Sequence, residues 1–288
     1  MTRSFGQRGP RLLWQIGTYV ALIALVAIVL YPVMLVCKKA FEPGTQFALS
    51  ASPIPTDVTT EHFRELFTSR GAQGELLFLR HAFNSIVVAL LTTIVGVTLS
   101  CTAAYALSRF RFPGRKMGLT MFLVVQMFPA TLLLLPLYVI LNKLGLLNSI
   151  AGLVLVYSTT AIPFCVWTLK GYFDSIPRDL EEAARIDGAS PWMIFRKIIL
   201  PLARPGIAVT ALFSFMTAWN EFIMASTFMT DERSYTLPVL LQSRVDQFSA
   251  DWGLFAAGAI VTSLPVMALF YVLQRSLVGG LTSGAVKG

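Results

Sequence analysis

Few side chains in this sequence are of the types that perform catalysis or hold metals. The 288 residues include two histidines, His62 and His81, and three cysteines. No ligand pattern surrounds either histidine, and the cysteines lie too far apart to indicate a disulfide framework or a metal site. The sequence also lacks the Gly-x-x-x-x-Gly-Lys-Ser/Thr run that cradles phosphates. We therefore expect no catalytic site, no metal and no cofactor, and we interpret the histidines as surface residues and the cysteines as buried thiols.

The most informative polar stretch is the segment 171–204, with the sequence GYFDSIPRDLEEAARIDGASPWMIFRKIILPLAR. This pattern predicts a helix, a turn and a second helix. Gly188 suits the left-handed position that follows the end of a helix. Ser190-Pro191 then supplies an N-cap and a first-turn proline for the next helix.

One face of the first of these helices carries mostly small or apolar side chains, with charges at its flanks. Small side chains let another surface approach closely, as in a helix that sits in a groove of a partner protein. An amphipathic helix lying on the membrane surface needs the same kind of face, so the spacing leaves both interpretations open. Glu181 precedes Arg185 by four residues, which favours an ion pair along the helix. The face comprises Leu180, Ala183, Ala184 and Asp187.

The composition indicates that lipid surrounds most of the chain. Hydrophobic residues make up 55% of the sequence and charged residues only 13%, and the mean hydropathy is +0.68. A soluble domain carries about twice that share of charge. The net charge of +8 would suggest nucleic-acid binding in a soluble protein, but here the Lys and Arg residues lie between apolar runs, as in membrane proteins. We expect membrane lipid as a partner and no nucleic acid.

Six apolar stretches are each long enough to cross the hydrocarbon core as a helix. Most of the Lys and Arg residues fall on the side of the N-terminus, which predicts that both termini are cytoplasmic. We divide the chain into a cytoplasmic N-terminus (1–11), a transmembrane domain (12–278) and a cytoplasmic tail (279–288). The stretches are Leu12–Val36, Phe83–Ser108, Met117–Asn142, Leu144–Leu169, Pro205–Thr230 and Trp252–Gln274. The polar residues Asn142, Lys143, Gly145 and Asn148 predict the turn between the third and fourth stretches, so the fourth helix should begin near Ile150.

Prolines interrupt several of these stretches, at positions 32, 129, 136, 163 and 265. Each proline removes a helical hydrogen bond and tends to kink the helix, which predicts bent helices around a space. Prolines are also commoner in membrane helices in general, so the kinks need not enclose a path.

A longer pattern within 171–204 carries a family resemblance. Glu182-Ala183-Ala184, Gly188, Ile198 and Leu200-Pro201 fill every specified position of the cytoplasmic signature of ABC-type importer permeases, in the loop before the penultimate span. Over nearly its whole length the chain resembles carbohydrate-importer permeases, in particular the smaller permeases of maltose/maltodextrin systems. The segments that carry this likeness are 105–114, 126–129, 170–173, 218–221 and 280–288, whereas 37–82 and 231–251 match poorly.

The resemblance implies a fold, a set of partners and a location. The fold would be an all-α membrane protein with the six transmembrane helices of a type I ABC importer permease, and 171–204 would be its helix-turn-helix coupling loop. The partners would be a second homologous permease, two ABC ATPase subunits and an extracytoplasmic sugar-binding protein. The chain would be a multi-pass transport subunit of the bacterial cytoplasmic (inner) membrane, not an enzyme. Its cargo would be maltose, maltodextrin or a related oligosaccharide.

The resemblance also implies roles for particular residues. The first loop helix would dock in a cleft of one ATPase subunit, with Glu182 as the charged contact and Gly188 as the turn that sets the helix angle. The tail 280–288 would contact the ATPases, unless it is a frayed terminus. The expected ATPase-coupling residues are Leu180, Glu182, Ala183, Ala184, Asp187, Gly188, Ile198, Leu200 and Pro201. The expected binding-protein contacts are Gln242, Arg244, Asp246 and Gln247.

Glu221 is the one Asp, Glu, Lys or Arg residue inside the six apolar stretches. A carboxylate at membrane depth is costly and by default marks a function or a buried partner. Together with Trp219 and Asn220 it would line the sugar path or the outer gate, with Trp219 stacking on a sugar ring. Alternatively, Glu221 lies near the membrane surface and reaches water.

An ion-coupled secondary transporter of a small solute is the main alternative function. Such a protein typically shows internal repeats and intramembrane charges for ion coupling, whereas this sequence has one intramembrane carboxylate and no evident repeat. A membrane enzyme would need paired acidic residues, a Ser/His/Asp set or metal ligands at suitable spacing, and we find none.

Overall fold

The structure is a computed structural model that describes residues 8–46, 52–245 and 250–285, with side chains described between 14 and 274 in those ranges. Within them the chain is helical, and β pairing is limited to two isolated bridges. This confirms the predicted all-α class. The chain divides into two compact units, Met1–Ser69 with Leu241–Val261 and Arg70–Leu240 with Thr262–Gly288.

The smaller unit begins with α1 (Arg8–Phe41) and α2 (Glu61–Thr68). The larger unit holds most of the remaining helices. In chain order these are α3 (Leu77–Arg109), α4 (Arg115–Met127), α5 (Leu134–Lys143), α6 (Ile150–Ser175), α7 (Asp179–Ile186), α8 (Pro191–Ile194), α9 (Leu200–Leu202), α10 (Arg204–Trp219) and α11 (Ile223–Phe228). The last two helices, α12 (Leu237–Ser243) and α13 (Trp252–Ala285), each have residues in both units.

Four helices, α1, α3, α6 and α13, are long and apolar enough to cross a membrane singly. Two bent pairs of helices are long and apolar enough only when each pair is taken together. They are α4 with the helix that follows it, and Pro191–Leu202 with α10. By length and composition, the described residues therefore provide four continuous candidate spans, or up to six if each bent pair counts as one.

The predicted span Met117–Asn142 is not one straight helix. Its two halves meet at an angle of 95° between Met127 and Ala130. Pro129 offers no backbone N–H and forces the residue before it out of the helical region, and Phe128 is accordingly extended, with φ −76° and ψ 126°. The prediction of a bend was correct at this proline, but the break is sharper than a kink.

The predicted span Pro205–Thr230 is also interrupted. α10 ends at Trp219 and α11 begins at Ile223. The 16 residues of α10 rise about 24 Å, which is short of the roughly 30 Å of the hydrocarbon core. At residues 220–222 one helix ends and the next begins, so some backbone N–H and C=O groups lack helical partners. A polar side chain is needed there to satisfy them.

The turn between α5 and α6 lies where the sequence predicts it. Gly145 and Asn148 adopt positive φ values of 66° and 55°, which glycine and asparagine tolerate best. The Ser149 hydroxyl accepts a hydrogen bond of 3.1 Å from the Gly152 N–H and so caps the first turn of α6. α6 begins at Ile150, in agreement with the prediction.

The core of the larger unit forms where α3, α6 and α10 pack through small side chains. A Cβ atom at Gly96 of α3 would lie 3.2 Å from Ser214 Oγ of α10, so glycine permits the close approach. Small residues at helix contacts are typical of membrane bundles. Cys101 of α3 and Cys165 of α6 are buried free thiols, as predicted.

A second group of apolar residues, the base cluster, fixes the segment after α7 to the ends of α3 and α6. Ile194 and Ile199 are fully buried in it, and the rings of Tyr105 and Phe195 have centroids 4.7 Å apart. Burial of each large apolar side chain stabilises the loop by about 1.5–3 kcal/mol. The buried members are Cys101, Ala104, Tyr105, Leu107, Val166, Leu169, Phe173, Ile176, Ile194, Phe195, Ile199 and Ala203.

In the smaller unit, α2 packs beside the end of α1. The rings of Phe41 and Phe63 have centroids 5.0 Å apart. His62 is buried, and its Nε2 lies 3.0 Å from the Glu42 carbonyl oxygen. The prediction that His62 is a surface residue was wrong, because its ring fills the space between the two segments.

Candidate functional site

The segment between α6 and α10 has the predicted helix, turn and helix. α7 ends at Ile186, and Gly188 follows with φ 83°. The Ala189 N–H donates to the Ala184 carbonyl over 2.9 Å, which satisfies one of the carbonyls that a helix end leaves unpaired. Ser190 Oγ then accepts from the Met193 N–H over 3.3 Å, as an N-cap of α8. Local side-chain chemistry therefore fixes the turn.

One face of α7 is open to solvent. Leu180 is 44% exposed and Ile186 is 87% exposed, and Glu182, Ala183 and Asp187 are exposed as well. The predicted docking residues thus lie together on a surface that no other described residue covers. This surface, the docking face, comprises Leu180, Glu182, Ala183, Ile186, Asp187 and Gly188.

Four other predicted coupling residues lie elsewhere. Ala184, Ile198 and Leu200 are half-buried and pack against the base cluster, and Pro201 is half-buried at the start of α9. These residues hold the loop in place rather than present it to a partner. The structure therefore separates the predicted set into an exposed part and an anchoring part.

Glu181, which directly precedes Glu182, is buried. Only 2% of the residue is exposed. Its carboxylate forms an ion pair with Arg109 Nε and accepts a hydrogen bond of 3.2 Å from the Tyr105 hydroxyl. Arg185, the partner predicted from spacing, lies 3.9 Å away and is mostly exposed. The main partner of Glu181 is thus at the end of α3, not on α7.

Further hydrogen bonds extend this pair into a polar cluster that joins α3, α6 and α7. Arg109 Nη2 donates to the Ile176 carbonyl over 3.0 Å, and Arg109 Nη1 donates to Ser108 Oγ over 3.1 Å. Ser108 Oγ in turn donates to Asp174 Oδ1 over 2.6 Å. Removing one partner of a buried ion pair leaves an uncompensated charge and costs about 3–5 kcal/mol.

The sequence did not reveal the Arg109–Glu181 pair because the two residues are 72 positions apart. One signal was present. Successive residues on a helix point about 100° apart, so Glu181 and Glu182 cannot both face the same partner. One of the two can therefore point into the chain while the other points outward.

The other end of α3 also holds a distant segment. Asn84 Nδ2 donates to the carbonyls of Arg233 and Tyr235, each over 2.9 Å. His81 Nε2 lies 2.7 Å from the Glu232 carbonyl oxygen. His81 is fully buried, so the prediction that it is a surface residue was wrong.

The segment held there also makes an exposed ion pair. Arg233 Nε lies 3.3 Å from Glu75 Oε1. A hydrogen bond from its own backbone N–H, with a smaller contribution from Arg233, lowers the pKa of the Glu75 carboxyl from its ordinary value. The pair is solvent-exposed and contributes little to stability.

Glu221 is held at the break between α10 and α11. Its carboxylate accepts hydrogen bonds from the N–H groups of Met224 (2.8 Å) and Ala225 (3.0 Å) and from the Tyr157 hydroxyl (2.7 Å). A carboxylate at a helix N-terminus satisfies unpaired N–H groups and is favoured by the helix dipole. The carboxylate within the apolar stretch thus has a local structural role.

The other two predicted path residues differ in exposure. Trp219 is 4% exposed, its Nε1 donates to the Thr262 carbonyl over 3.2 Å, and its ring stacks on Phe215. No face of the indole is open for a sugar ring in this arrangement. Asn220 is exposed, and its amide donates to the Met216 carbonyl over 2.9 Å.

The predicted binding-protein contacts and the predicted tail are only partly described. Gln242 is exposed near the end of α12, and Arg244 is half-buried. Asp246 and Gln247 lie outside the described residues, as do residues 286–288 of the tail. α13 continues to Ala285, so the helix extends into the segment predicted as a tail. No group of three or more His, Cys, Asp or Glu residues that could hold a metal occurs within the described parts of the chain.

Comparison with known proteins accounts for these features together. Residues 96–282 match the family described as "binding-protein-dependent transport system inner membrane component". The chain is 41% identical over 272 residues to a galactooligosaccharides transport system permease protein of Bacillus subtilis (strain 168), covering 94% of this chain and 95% of the relative. It is 38% identical over 279 residues to a maltodextrin transport system permease protein of the same organism, covering 96% and 98%.

The fold has a counterpart among solved structures. A chain from the crystal structure of a bacterial ABC transporter involved in the import of the acidic polysaccharide alginate superposes with a TM-score of 0.77, covering 95% of this chain and 99% of that chain at 23% identity. This likeness confirms the predicted importer-permease fold. The relatives are transport components rather than enzymes. The chain belongs to the family of binding-protein-dependent transport system inner membrane components, and is thus a multi-pass transport subunit of the bacterial inner membrane.

Proposed function

We propose that this chain is the permease subunit of an ATP-driven, binding-protein-dependent importer of oligosaccharides. The observation that carries this proposal is the docking face of α7. Its small and apolar side chains are exposed although the loop around them is firmly packed. A rigid loop with an exposed short helix suits a groove on a cytoplasmic partner. The partner would be an ABC ATPase subunit, because the chain has no ATP-binding run of its own.

The partners follow from the same surfaces. Two ATPase subunits would bind below the membrane, one of them on the docking face, with Glu182 as the charged contact. A second, homologous permease would cover part of the apolar surface of α1, since no other described residue buries the most apolar part of this helix. Lipid would cover the rest. A sugar-binding protein would contact the segment that contains Gln242, Arg244, Asp246 and Gln247. Both termini would be cytoplasmic.

The cargo is a short oligosaccharide, and we place maltose and maltodextrins first. Similar identity to permeases named for galactooligosaccharides and for maltodextrin supports the oligosaccharide class. Asn220 and Glu221 would line the path or outer gate where α10 ends. The exposed amide of Asn220 suits hydrogen bonding to sugar hydroxyls.

The docking face is tested by purifying the tagged chain from detergent-solubilised native membranes. We expect an ATPase subunit and a second permease to co-purify with the wild type. Glu182→Ala combined with Gly188→Asp should lose the ATPase and keep the permease partner. Glu232→Ala, which removes an exposed carboxylate far from the loop, serves as the control and should retain both. Retention of the ATPase by the Glu182 and Gly188 double variant would contradict this role of the docking face.

A further inference from the structure

α3 is an uninterrupted helix that holds one chain segment at each of its ends. It has 33 residues and is therefore about 50 Å long. A helix of this kind satisfies its backbone hydrogen bonds internally and contains no proline. It therefore resists bending, since sharp kinks need a proline, a bulge or an inserted group.

At the Arg109 end, α3 holds the helix that carries the docking face. Glu181 is the buried residue of α7, and its carboxylate is bound by Arg109 and by the Tyr105 hydroxyl. Glu182, on the adjacent position, is exposed. A displacement imposed on α7 from outside therefore acts on α3 through the Glu181 carboxylate.

At the other end, α3 holds the segment 232–237. The Asn84 amide bridges the carbonyls of Arg233 and Tyr235. Ser85 Oγ accepts from the Leu237 N–H over 2.7 Å. This segment leads along the chain into the residues expected to contact the binding protein.

We propose that α3 is the connecting rod between the ATPase side and the binding-protein side of this permease, and that Arg109 and Asn84 are its positioning residues. This inference rests on the proposed function, since it assumes that α7 docks on an ATPase. Two segments fixed to one stiff helix cannot move independently. Arrival of the binding protein at one end is thereby transmitted to the ATPase at the other.

The test uses the complete transporter with its ATPases and the sugar-loaded binding protein. The quantity measured is the ratio of ATP hydrolysis with the binding protein to hydrolysis without it. Arg109→Gln with Glu181→Gln removes the inner ion pair without leaving a lone charge. Asn84→Ala removes the outer bridge. Thr102→Ala is the matched control on α3, because its hydroxyl is exposed and bonds only to carbonyls of the same helix.

We expect the neutral pair and Asn84→Ala each to assemble and each to lower the ratio about tenfold. Thr102→Ala should leave it unchanged. A protein that carries the changes at both ends of α3 should show a ratio no lower than that of the more impaired single variant, because both changes break the same connection through α3. Defects at sites more than about 7–10 Å apart otherwise combine independently, so this result would not arise from local structural damage.

An unchanged ratio in either variant would overturn the inference, as would independent combination of the two effects. If a variant does not assemble, Tyr105→Phe and Ser85→Ala give milder changes at the same two ends and are held to the same criteria. Absence of an ATPase from the wild-type complex would instead refute the proposed function. If the binding protein stimulates ATP hydrolysis as strongly in the variants as in the wild type, the role of α3 as connecting rod is refuted while the proposed function stands.

Discussion

At the scale of single residues, the neighbours Glu181 and Glu182 differ in burial and in their partners. Glu181 is buried against Arg109, whereas Glu182 is exposed on α7. We expect Glu181→Ala to lower the free energy of unfolding by about 3–5 kcal/mol, because it leaves the buried charge of Arg109 without its carboxylate partner. Glu182→Ala should change it by no more than about 0.5 kcal/mol. Thermal unfolding of the detergent-purified chain measures both, and equal effects would contradict the assignment.

Glu221 combines a structural contact with a proposed place on the sugar path. Glu221→Ala removes the cap of α11 and should lower the free energy of unfolding by about 0.5–2 kcal/mol. The same change should also impair sugar transport. Glu221→Gln keeps an acceptor oxygen, so its stability should fall less. If the charge serves transport, Glu221→Gln should import sugar more slowly than the wild type although its side chain can still cap α11. Tyr157→Phe, which removes only the hydroxyl that donates to Glu221, should import sugar faster than Glu221→Gln. Wild-type uptake by Glu221→Gln would show that the carboxylate acts only as a cap.

The roles of single residues could be predicted only where the signal was local. Ser190 and Gly188 were identified correctly because their caps depend on neighbours in sequence. The burial of Glu181 and His81 was missed because their partners, Arg109 and the Glu232 carbonyl, are distant along the chain. The indole of Trp219 was expected to face a sugar, but packing against Phe215 buries it.

At the scale of elements, the turn after α7 sets the direction in which the docking face points. Gly188 has φ 83°, and open space surrounds the position of a Cβ atom. Gly188→Ala therefore meets no clash but should cost about 1–2 kcal/mol, because the left-handed conformation disfavours a side chain. Gly188→Asn should cost less, since asparagine tolerates this conformation. Thermal unfolding and ATPase co-purification should rank the variants Gly, Asn, Ala, and equal values for Asn and Ala would contradict the argument.

The positions of the elements followed from the sequence better than their continuity did. α6 begins at the predicted Ile150 because Ser149, Gly145 and Asn148 fix the preceding turn locally. The break at Phe128–Pro129 was not predicted, since a proline in a membrane helix is compatible with a mild kink or with a full break. Neighbouring helices decide between these outcomes, and periodicity does not record them.

At the scale of the whole molecule, the chain presents surfaces that require other molecules. α1 carries apolar side chains that stay exposed along its length, among them Ile23, Ile28 and Val33. The docking face of α7 is open, and Gln242 is exposed near the end of α12. These surfaces fit a subunit that converts events at an ATPase into opening of a membrane path. A secondary transporter would not need the docking face.

Sugar uptake into proteoliposomes tests the central claim most directly. The vesicles would contain the wild-type transporter with its partner permease and ATPases, and labelled maltotriose would be supplied with the binding protein. We predict uptake only when ATP is present on the ATPase side and the binding protein on the other, with no response to an ion gradient. Uptake by this chain without ATP, driven by a proton or sodium gradient, would contradict the account and support an ion-coupled secondary transporter.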